Sequence, residues 1–289
     1  MLQQTRVAAA EPYYHRFLER FPTIEALAAA DTEQVLTLWA GLGYYSRARN
    51  LHKAAKEVAA KGRFSNCYDD IRCLSGVGDY TAAAIASIAF GLPHAALDGN
   101  VVRVLARVSC EPGDIKASAT RDRLRSLADE LLDRSRPGDF NQAMMELGAT
   151  VCLPREPKCG SCPVADWCEA RRQGRQNEVP VKLGGKVHTE IDGTLLIIEK
   201  RGSILLWQRP TNSGRMAGFW ELPEASQLPE AKLGRELGVF RHTITINNYT
   251  YRVIRSTIRR APEGYEWVQK DDLANLPTST ILRKALSLA

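Results

Sequence analysis

Four of the seven cysteines lie within 17 residues, at Cys152, Cys159, Cys162 and Cys168. Four thiolates this close can wrap one tetrahedral zinc ion or one iron–sulfur cluster. Zinc ribbons usually have two short knuckles joined by a longer arm. Here one CxxC carries long flanks on both sides, a spacing that suits the separated corners of a cuboidal cluster. On chemistry alone, zinc and unliganded thiols stay open beside iron–sulfur. Nothing marks the chain for export, which favours a metal site over a disulfide framework. Arg155, Lys158, Arg171 and Arg172 give the loop a basic rim suited to phosphate. Cys67, Cys73 and Cys110 are scattered and read as free thiols.

Two further groups have chemical potential. In Leu74-Ser75-Gly76-Val77-Gly78, glycines 76 and 78 allow a tight turn with positive φ. The amides there, with the next helix N-terminus, form an anion site able to hold a DNA phosphate without reading sequence. The bland alternative is an ordinary helix–helix turn. Twenty residues on, Leu97-Asp98-Gly99-Asn100-Val101 places Asp98 at a helix N-cap. As a cap alone it contributes about 1 kcal/mol. A rigid carboxylate beside a sugar can also stabilise an oxocarbenium-like transition state.

The elements that must position these groups change character along the chain. Up to residue 150, apolar residues recur at helical spacing, as in Leu51-Ala54-Ala55-Val58 and Val101-Val104-Leu105-Val108. Breaks fall at Phe21-Pro22-Thr23, Gly41-Leu42-Gly43, Gly62 and Arg136-Pro137-Gly138, with Thr23 and Asp31 as N-caps. This region is expected to be all-α. Residues 171–186 read as a polar, basic linker. Strands are expected at Thr194–Ile198, Ser203–Gln208, Thr243–Tyr251 and Tyr265–Val268, with helices near Leu228–Leu237 and Ser279–Leu288. The resulting domains are 1–170, including the cysteine loop 152–168, and an α+β domain at 187–289.

The 289 residues, 44% hydrophobic and 25% charged, suit a folded globular chain of about two domains and exclude collagen, coiled coil and wholesale disorder. No apolar run is long enough for a membrane span, and Met1 leads into a polar segment unlike a signal peptide. A cytoplasmic monomer without membrane attachment is expected. The net charge is +6, of which residues 181–289 carry +5. That permits a nucleic-acid partner without establishing one.

Taken in order, the motifs resemble the helix–hairpin–helix DNA glycosylases with an iron–sulfur loop, and among them the adenine DNA glycosylases of the MutY type. The resemblance rests on Met1-Leu2-Gln3-Gln4-Thr5, on Trp39-Ala40-Gly41-Leu42-Gly43-Tyr44-Tyr45-Ser46-Arg47, on the glycine hairpin, on Leu97–Val101, on Phe140–Gly148 and on the cysteine loop. Its implied fold is an all-α helix–hairpin–helix glycosylase domain with an iron–sulfur loop, followed by an α+β Nudix-like domain. The implied function is excision of adenine mispaired with 8-oxoguanine or guanine in double-stranded DNA, with the base flipped out of the duplex. Asp98 corresponds to the catalytic aspartate, Asn100 supports it, and Tyr80 stands near the reacting sugar. Glu146 corresponds to a residue contacting the flipped adenine. Gln4 and Tyr44 correspond to side chains that wedge into the base stack, and Gly76 and Gly78 to the phosphate grip. Cys152, Cys159, Cys162 and Cys168 correspond to ligands of a 4Fe-4S cluster. Where the related endonuclease III branch has a catalytic lysine, this chain has Tyr80, which cannot form a Schiff base. A monofunctional glycosylase is therefore expected.

The C-terminal region resembles a Nudix-like lesion-checking domain through Leu206-Trp207-Gln208-Arg209-Pro210, Gly218–Pro223 and Phe240-Arg241-His242-Thr243. Around Arg235-Glu236-Leu237 it lacks the acidic cluster of a Nudix hydrolase, which implies binding rather than hydrolysis. The pattern departs in two places. The resemblance puts the general-acid glutamate two residues before Met1, outside residues 1–289; without it, a catalytically impaired DNA-binding protein is the alternative. Where the family has Phe-Ser-His, this chain has Ile244-Thr245-Ile246, leaving Thr245 as the remaining hydroxyl.

Overall fold

The computed structural model describes residues 1–289 except 4, 6, 185, 186 and 215. The chain forms two compact units, Met1–Gly62 with Lys186–Ala289, and Arg63–Gly185. This grouping cuts across the division drawn from sequence, because Phe219 of the C-terminal region is buried in the core of the first helices.

Helices α1 (Val7–Arg20), α2 (Ile24–Ala29), α3 (Thr32–Trp39) and α4 (Ser46–Lys61) open the first unit. Thr23 caps α2, its Oγ1 accepting from the Ala26 amide at 3.1 Å. Asp31 holds the N-cap position of α3 but makes no side-chain cap bond. Phe17, Leu36, Trp39 and Ala48 are buried together with Phe219 of the C-terminal region. The Trp220 indole N–H donates to Glu33 Oε1 at 2.9 Å. The core of these helices thus takes in a residue from more than 150 positions away.

The second unit contains α5 (Tyr68–Arg72), α6 (Asp79–Phe90), α7 (Gly99–Val108), α8 (Ser118–Leu131), α9 (Pro137–Thr150) and α10 (Glu169–Arg172). Short 3-10 turns, Cys159–Ser161 and Ala165–Trp167, shape the cysteine loop. The expected all-α character of residues 1–150 is what the structure has among the described residues. Helix α7 is central: Val101, Val102, Leu105 and Ala106 pack with Leu124 and Ala128 of α8 and with Ala170 and Val179. Buried Asn141 on α9 donates to Ser87 Oγ and the His94 carbonyl, each at 2.8 Å, and accepts from the Ala96 amide at 2.9 Å. That one side chain fixes the loop leading into Asp98.

Residues 171–186, expected as a linker, are for the most part tied to the second unit. Val179 is buried, its carbonyl accepts from Arg107 Nε at 2.8 Å, and the Val181 carbonyl accepts from the Ile115 amide at 3.0 Å. The polar composition hid this, because the ties are backbone carbonyls that any residue supplies.

The C-terminal region adds β1 (Thr189–Lys200), β2 (Ser203–Gln208), β3 (Trp220–Glu221), β4 (Lys232–Ile244), β5 (Asn247–Thr257), β6 (Tyr265–Gln269) and α11 (Thr280–Leu286). The strand order is β3-β2-β1-β5-β4, with β6 beside β2. β1 runs parallel to β5, from Thr189 opposite Asn247 to Ile198 opposite Ser256. Leu195 and Ile197 enter one core, and Leu196 and Ile198 the other. A strand buried on both faces reads as a continuous apolar run rather than an alternation.

Two expectations in this region are corrected. The helix expected near Leu228–Leu237 gives way to β4 from Lys232. Leu233 and Leu237 are four apart, a helical spacing, but irregular register between Leu233 and Gly238 lets a bulged strand carry them. A Cβ on Gly234 would stand 2.7 Å from the Arg255 carbonyl oxygen, so glycine permits this approach of β4 to β5. The single strand expected at Thr243–Tyr251 is instead the tip of the β4–β5 hairpin, where Ile244 pairs with Asn247 across Thr245-Ile246. The helix expected near Ser279–Leu288 is present as α11, with Ser279 Oγ accepting from the Leu282 amide at 3.0 Å.

Candidate active site

Asp98 is the N-cap of α7 and acts as an acceptor in each of its hydrogen bonds. Its Oδ1 takes the amides of Asn100 at 2.8 Å and Val101 at 2.7 Å, and its Oδ2 takes Asn100 Nδ2 at 3.0 Å. Three N–H donors therefore fix both oxygens of a half-buried carboxylate. Asn100 is fixed in turn: its Oδ1 accepts from Arg103 Nη2 at 2.8 Å, and Arg103 Nε donates to the Cys152 carbonyl at 2.7 Å. A Cβ on Gly148 would lie 2.6 Å from Asn100 Cβ, so glycine on α9 is what lets Asn100 occupy this place.

Tyr80, one residue into α6, is half-buried, and its hydroxyl donates to Met145 Sδ at 3.5 Å. Burial pushes its phenol pKa up, and the neighbouring Asp98 carboxylate adds to that shift. The phenol thus stays a protonated neighbour of the carboxylate. Glu146, the next residue on α9, is exposed, and no described contact links its side chain to Asp98. Gln4 lies outside the described residues.

At the hairpin, Gly76 has φ +76 as expected, but Gly78 does not: its φ of −96 and ψ of −179 are extended, and it is the N-cap of α6. A Cβ on Gly78 meets nothing within 4 Å, so the residue leaves open space in front of the helix start. Its role as a positive-φ turn residue is corrected to that of an uncovered N-cap.

Cys152, Cys159, Cys162 and Cys168 line one cavity with Arg107 and Gln176. Burial pushes the Cys168 thiol pKa up, and the other three cysteines push it in the same direction. Among the described residues, no three His, Cys, Asp or Glu side chains are gathered as tightly as a single metal ion requires. Four cysteines lining one cavity are the donor set that an iron–sulfur cluster uses. The cavity also holds a buried, unpartnered oxygen, Gln176 Oε1. A rotation of that amide presents N–H donors instead, the polarity that cluster sulfurs accept. The donor set therefore fits a 4Fe-4S cluster. On the rim, Arg171 is ion-paired with Asp166 at 3.3 Å and Arg172 with Glu169 at 2.6 Å.

In the first unit, Tyr44 and Thr245 line one cleft of about 570 Å³, together with Arg49, Trp207, His242 and Asn247. Tyr44 is half-exposed and sits at φ +49, Thr245 at φ +56. Such values are uncommon away from glycine and mark tight turns or strained functional positions. The Thr245 hydroxyl donates to the Ile244 carbonyl at 2.7 Å.

Residues 1–130 match the HhH-GPD superfamily base excision DNA repair protein, 152–168 the iron-sulfur binding domain of endonuclease III, and 193–288 the NUDIX domain. A solved structure of a non-covalent endonuclease III–DNA complex is similar at 25% identity and a TM-score of 0.51, over 59% of this chain and 79% of that one. The human adenine DNA glycosylase is 34% identical over 98% of this chain and 65% of its own length. The mouse protein of that name is 32% identical over the whole of this chain and 70% of its own length. The chain belongs to the adenine DNA glycosylase family.

As a member of that family it carries the helical glycosylase fold, the 4Fe-4S loop and a Nudix-like domain. It spans 65% of the human relative's length. Two site residues escaped the reading of the sequence: Arg103 and Arg107. Their signal was available, since Asn100, Arg103 and Arg107 lie on one face of α7 at spacings of three and four. Arginines on the buried face of an amphipathic helix stand out as groups that need partners.

Proposed function

We propose that this chain is a monofunctional glycosylase that hydrolyses the N-glycosidic bond of adenine mispaired with 8-oxoguanine or guanine in double-stranded DNA, acting as a monomer. The observation that carries the reading is Asp98, whose two oxygens are held by three N–H donors beside a tyrosine instead of a lysine. A carboxylate fixed in advance stabilises positive charge on the sugar as the bond breaks, with little reorganisation. Tyr80 offers no amine, so the route through a Schiff base and strand cleavage is closed. The Gly78 N-cap and the amides behind it offer an uncovered helix start to a backbone phosphate. A cluster held by Cys152, Cys159, Cys162 and Cys168 would cross-link the 152–168 loop.

Two features support lesion checking by the cleft. It joins Tyr44 from the helices to Thr245 from the β4–β5 hairpin, and it brings arginines and aromatic rings together. Those are the side chains that stack on and hydrogen-bond to an unstacked base.

Adenine needs a proton on leaving. The resemblance assigns it to a glutamate ahead of Met1, so the test uses two forms: residues 1–289 alone, and residues 1–289 preceded by a helical segment with glutamate two residues before Met1. The extended form is expected to excise adenine opposite 8-oxoguanine in a single-turnover assay. The form without the glutamate should be slower by about 10²–10⁴ while still binding the duplex. In the extended form, Asp98→Asn should lower the rate by about 10²–10³. Rapid excision by Asp98→Asn would remove Asp98 from the mechanism.

A further inference from the structure

Arg107 is 2% exposed, yet it carries a permanent charge. Its Nε donates to the Val179 carbonyl, its Nη1 to the Leu153 carbonyl at 2.7 Å and to Cys152 Sγ at 3.3 Å, and its Nη2 to the Pro154 carbonyl at 3.3 Å. None of these partners is a carboxylate. A buried cation without a counter-ion is unfavourable. A group able to offset it is the set of four cysteines lining the cavity, thiolates once a cluster is bound, one of which, Cys152, it already touches. The same cavity holds the buried, unpartnered amide oxygen of Gln176. Lys158 and Arg171 also border the cavity, but both are exposed, and water and salt screen their charges.

We propose that Arg107 and Gln176 set the potential at which the bound iron–sulfur cluster loses an electron, with Arg107 dominant. Cluster potentials follow net charge, hydrogen bonds to the sulfurs and burial. Arg107 contributes to the first two: a cation in a low-dielectric site, and an N–H aimed at a ligand sulfur. Both stabilise the more negatively charged, reduced state. Taking them away makes electron loss easier and exposes the cluster to oxidative breakdown. The step is a single electron passing from the cluster to an external oxidant; no proton moves and no bond forms. This role is separate from the assignment of Asp98, because its readout needs no DNA and no excision.

The test is a redox titration of the cluster-loaded full chain with ferricyanide, the oxidant being reduced to ferrocyanide. The oxidised form is counted by electron paramagnetic resonance. At the potential where the parent protein is half oxidised, Arg107→Gln should show at least a tenfold higher ratio of oxidised to reduced cluster, about 59 mV for a one-electron couple. Arg107→Lys keeps the charge and should move less. Gln176→Leu, at a half-buried residue beyond α10, should move the ratio in the same direction by about threefold. A loaded Arg107→Gln with an unchanged ratio overturns the proposal. Should Arg107→Gln fail to retain iron, Gln176→Leu decides: a raised ratio supports the proposal and an unchanged one overturns it.

Discussion

At the scale of single residues, Asp98 does two jobs that substitution can separate. Asparagine caps a helix about as well as aspartate, so Asp98→Asn should change stability by less than about 1 kcal/mol in a denaturant melt. A larger loss would mean that any fall in excision reflects unfolding rather than lost charge. The cap was legible in the sequence because Asp-Gly-Asn opening an apolar helix is a local signal. The chain of bonds from Asp98 through Asn100 and Arg103 to the Cys152 carbonyl was not. Its last member is a backbone oxygen 49 positions from Arg103 in the chain. The cysteines are a simpler case. Cys162→Ser should lose iron and cost more than about 4 kcal/mol, a range reached when a metal site is lost. Full iron content with unchanged melting would remove Cys162 from the ligand set.

At the scale of elements, the crossing of α7 and α9 depends on Gly148. A methyl group there would stand 2.9 Å from the Asn100 carbonyl oxygen, so the helices must part. Gly148→Ala should cost about 1–3 kcal/mol and lower the excision rate by displacing Asn100. A variant of full activity and stability would show that the crossing has slack. The hairpin makes the contrasting case: a Cβ on Gly78 meets nothing within 4 Å, so Gly78→Val should leave stability nearly unchanged while affinity for all duplexes falls about equally. A loss confined to mispaired duplex would show that the hairpin reads more than backbone. The end of α7 is joined to α8 by Arg123, whose Nη2 donates to Glu111 Oε1 at 2.7 Å. That bond first, and the Gly113 amide after it, hold the Glu111 carboxyl below its usual range. The lowered folded value means the stabilisation is complete above the ordinary glutamate range and fades as the pH falls through the lowered one. With Arg123 half-exposed, Glu111→Gln should cost about 1 kcal/mol at pH 7 and progressively less in acid. An equal penalty at neutral and strongly acidic pH would rule out the ion pair as its source. Helix types and most breaks were readable because periodicity and Gly-Pro punctuation are local. β4 was misread because Leu233 and Leu237 suit a helix equally well until β5 is present to pair with them.

At the scale of the whole molecule, the cleft between the first helices and the β4–β5 hairpin carries the lesion-checking proposal. Ile244-Thr245-Ile246 supplies a hydroxyl there but neither an aromatic ring nor an imidazole. Restoring Phe-Ser-His at 244–246 should widen the preference for adenine opposite 8-oxoguanine over adenine opposite guanine by about 1–3 kcal/mol, read as a ratio of excision rates. Equal ratios in the two proteins would place discrimination elsewhere. By itself the sequence determined what short-range chemistry can determine: the clustering of four cysteines, the turn at Gly76, the capping aspartate, the helical first half, and the family through motifs that survive as strings. Only the tertiary structure decided that residues 1–62 group with the C-terminal region through Phe219, that the polar stretch after α10 is tied down, and that two arginines of α7 hold Asn100 and the cysteine loop. The physical reason is common to all three. Burial and hydrogen bonding are satisfied by whatever the fold brings near, most often a backbone carbonyl or an apolar face, and neither leaves a mark on the sequence at the position of its partner.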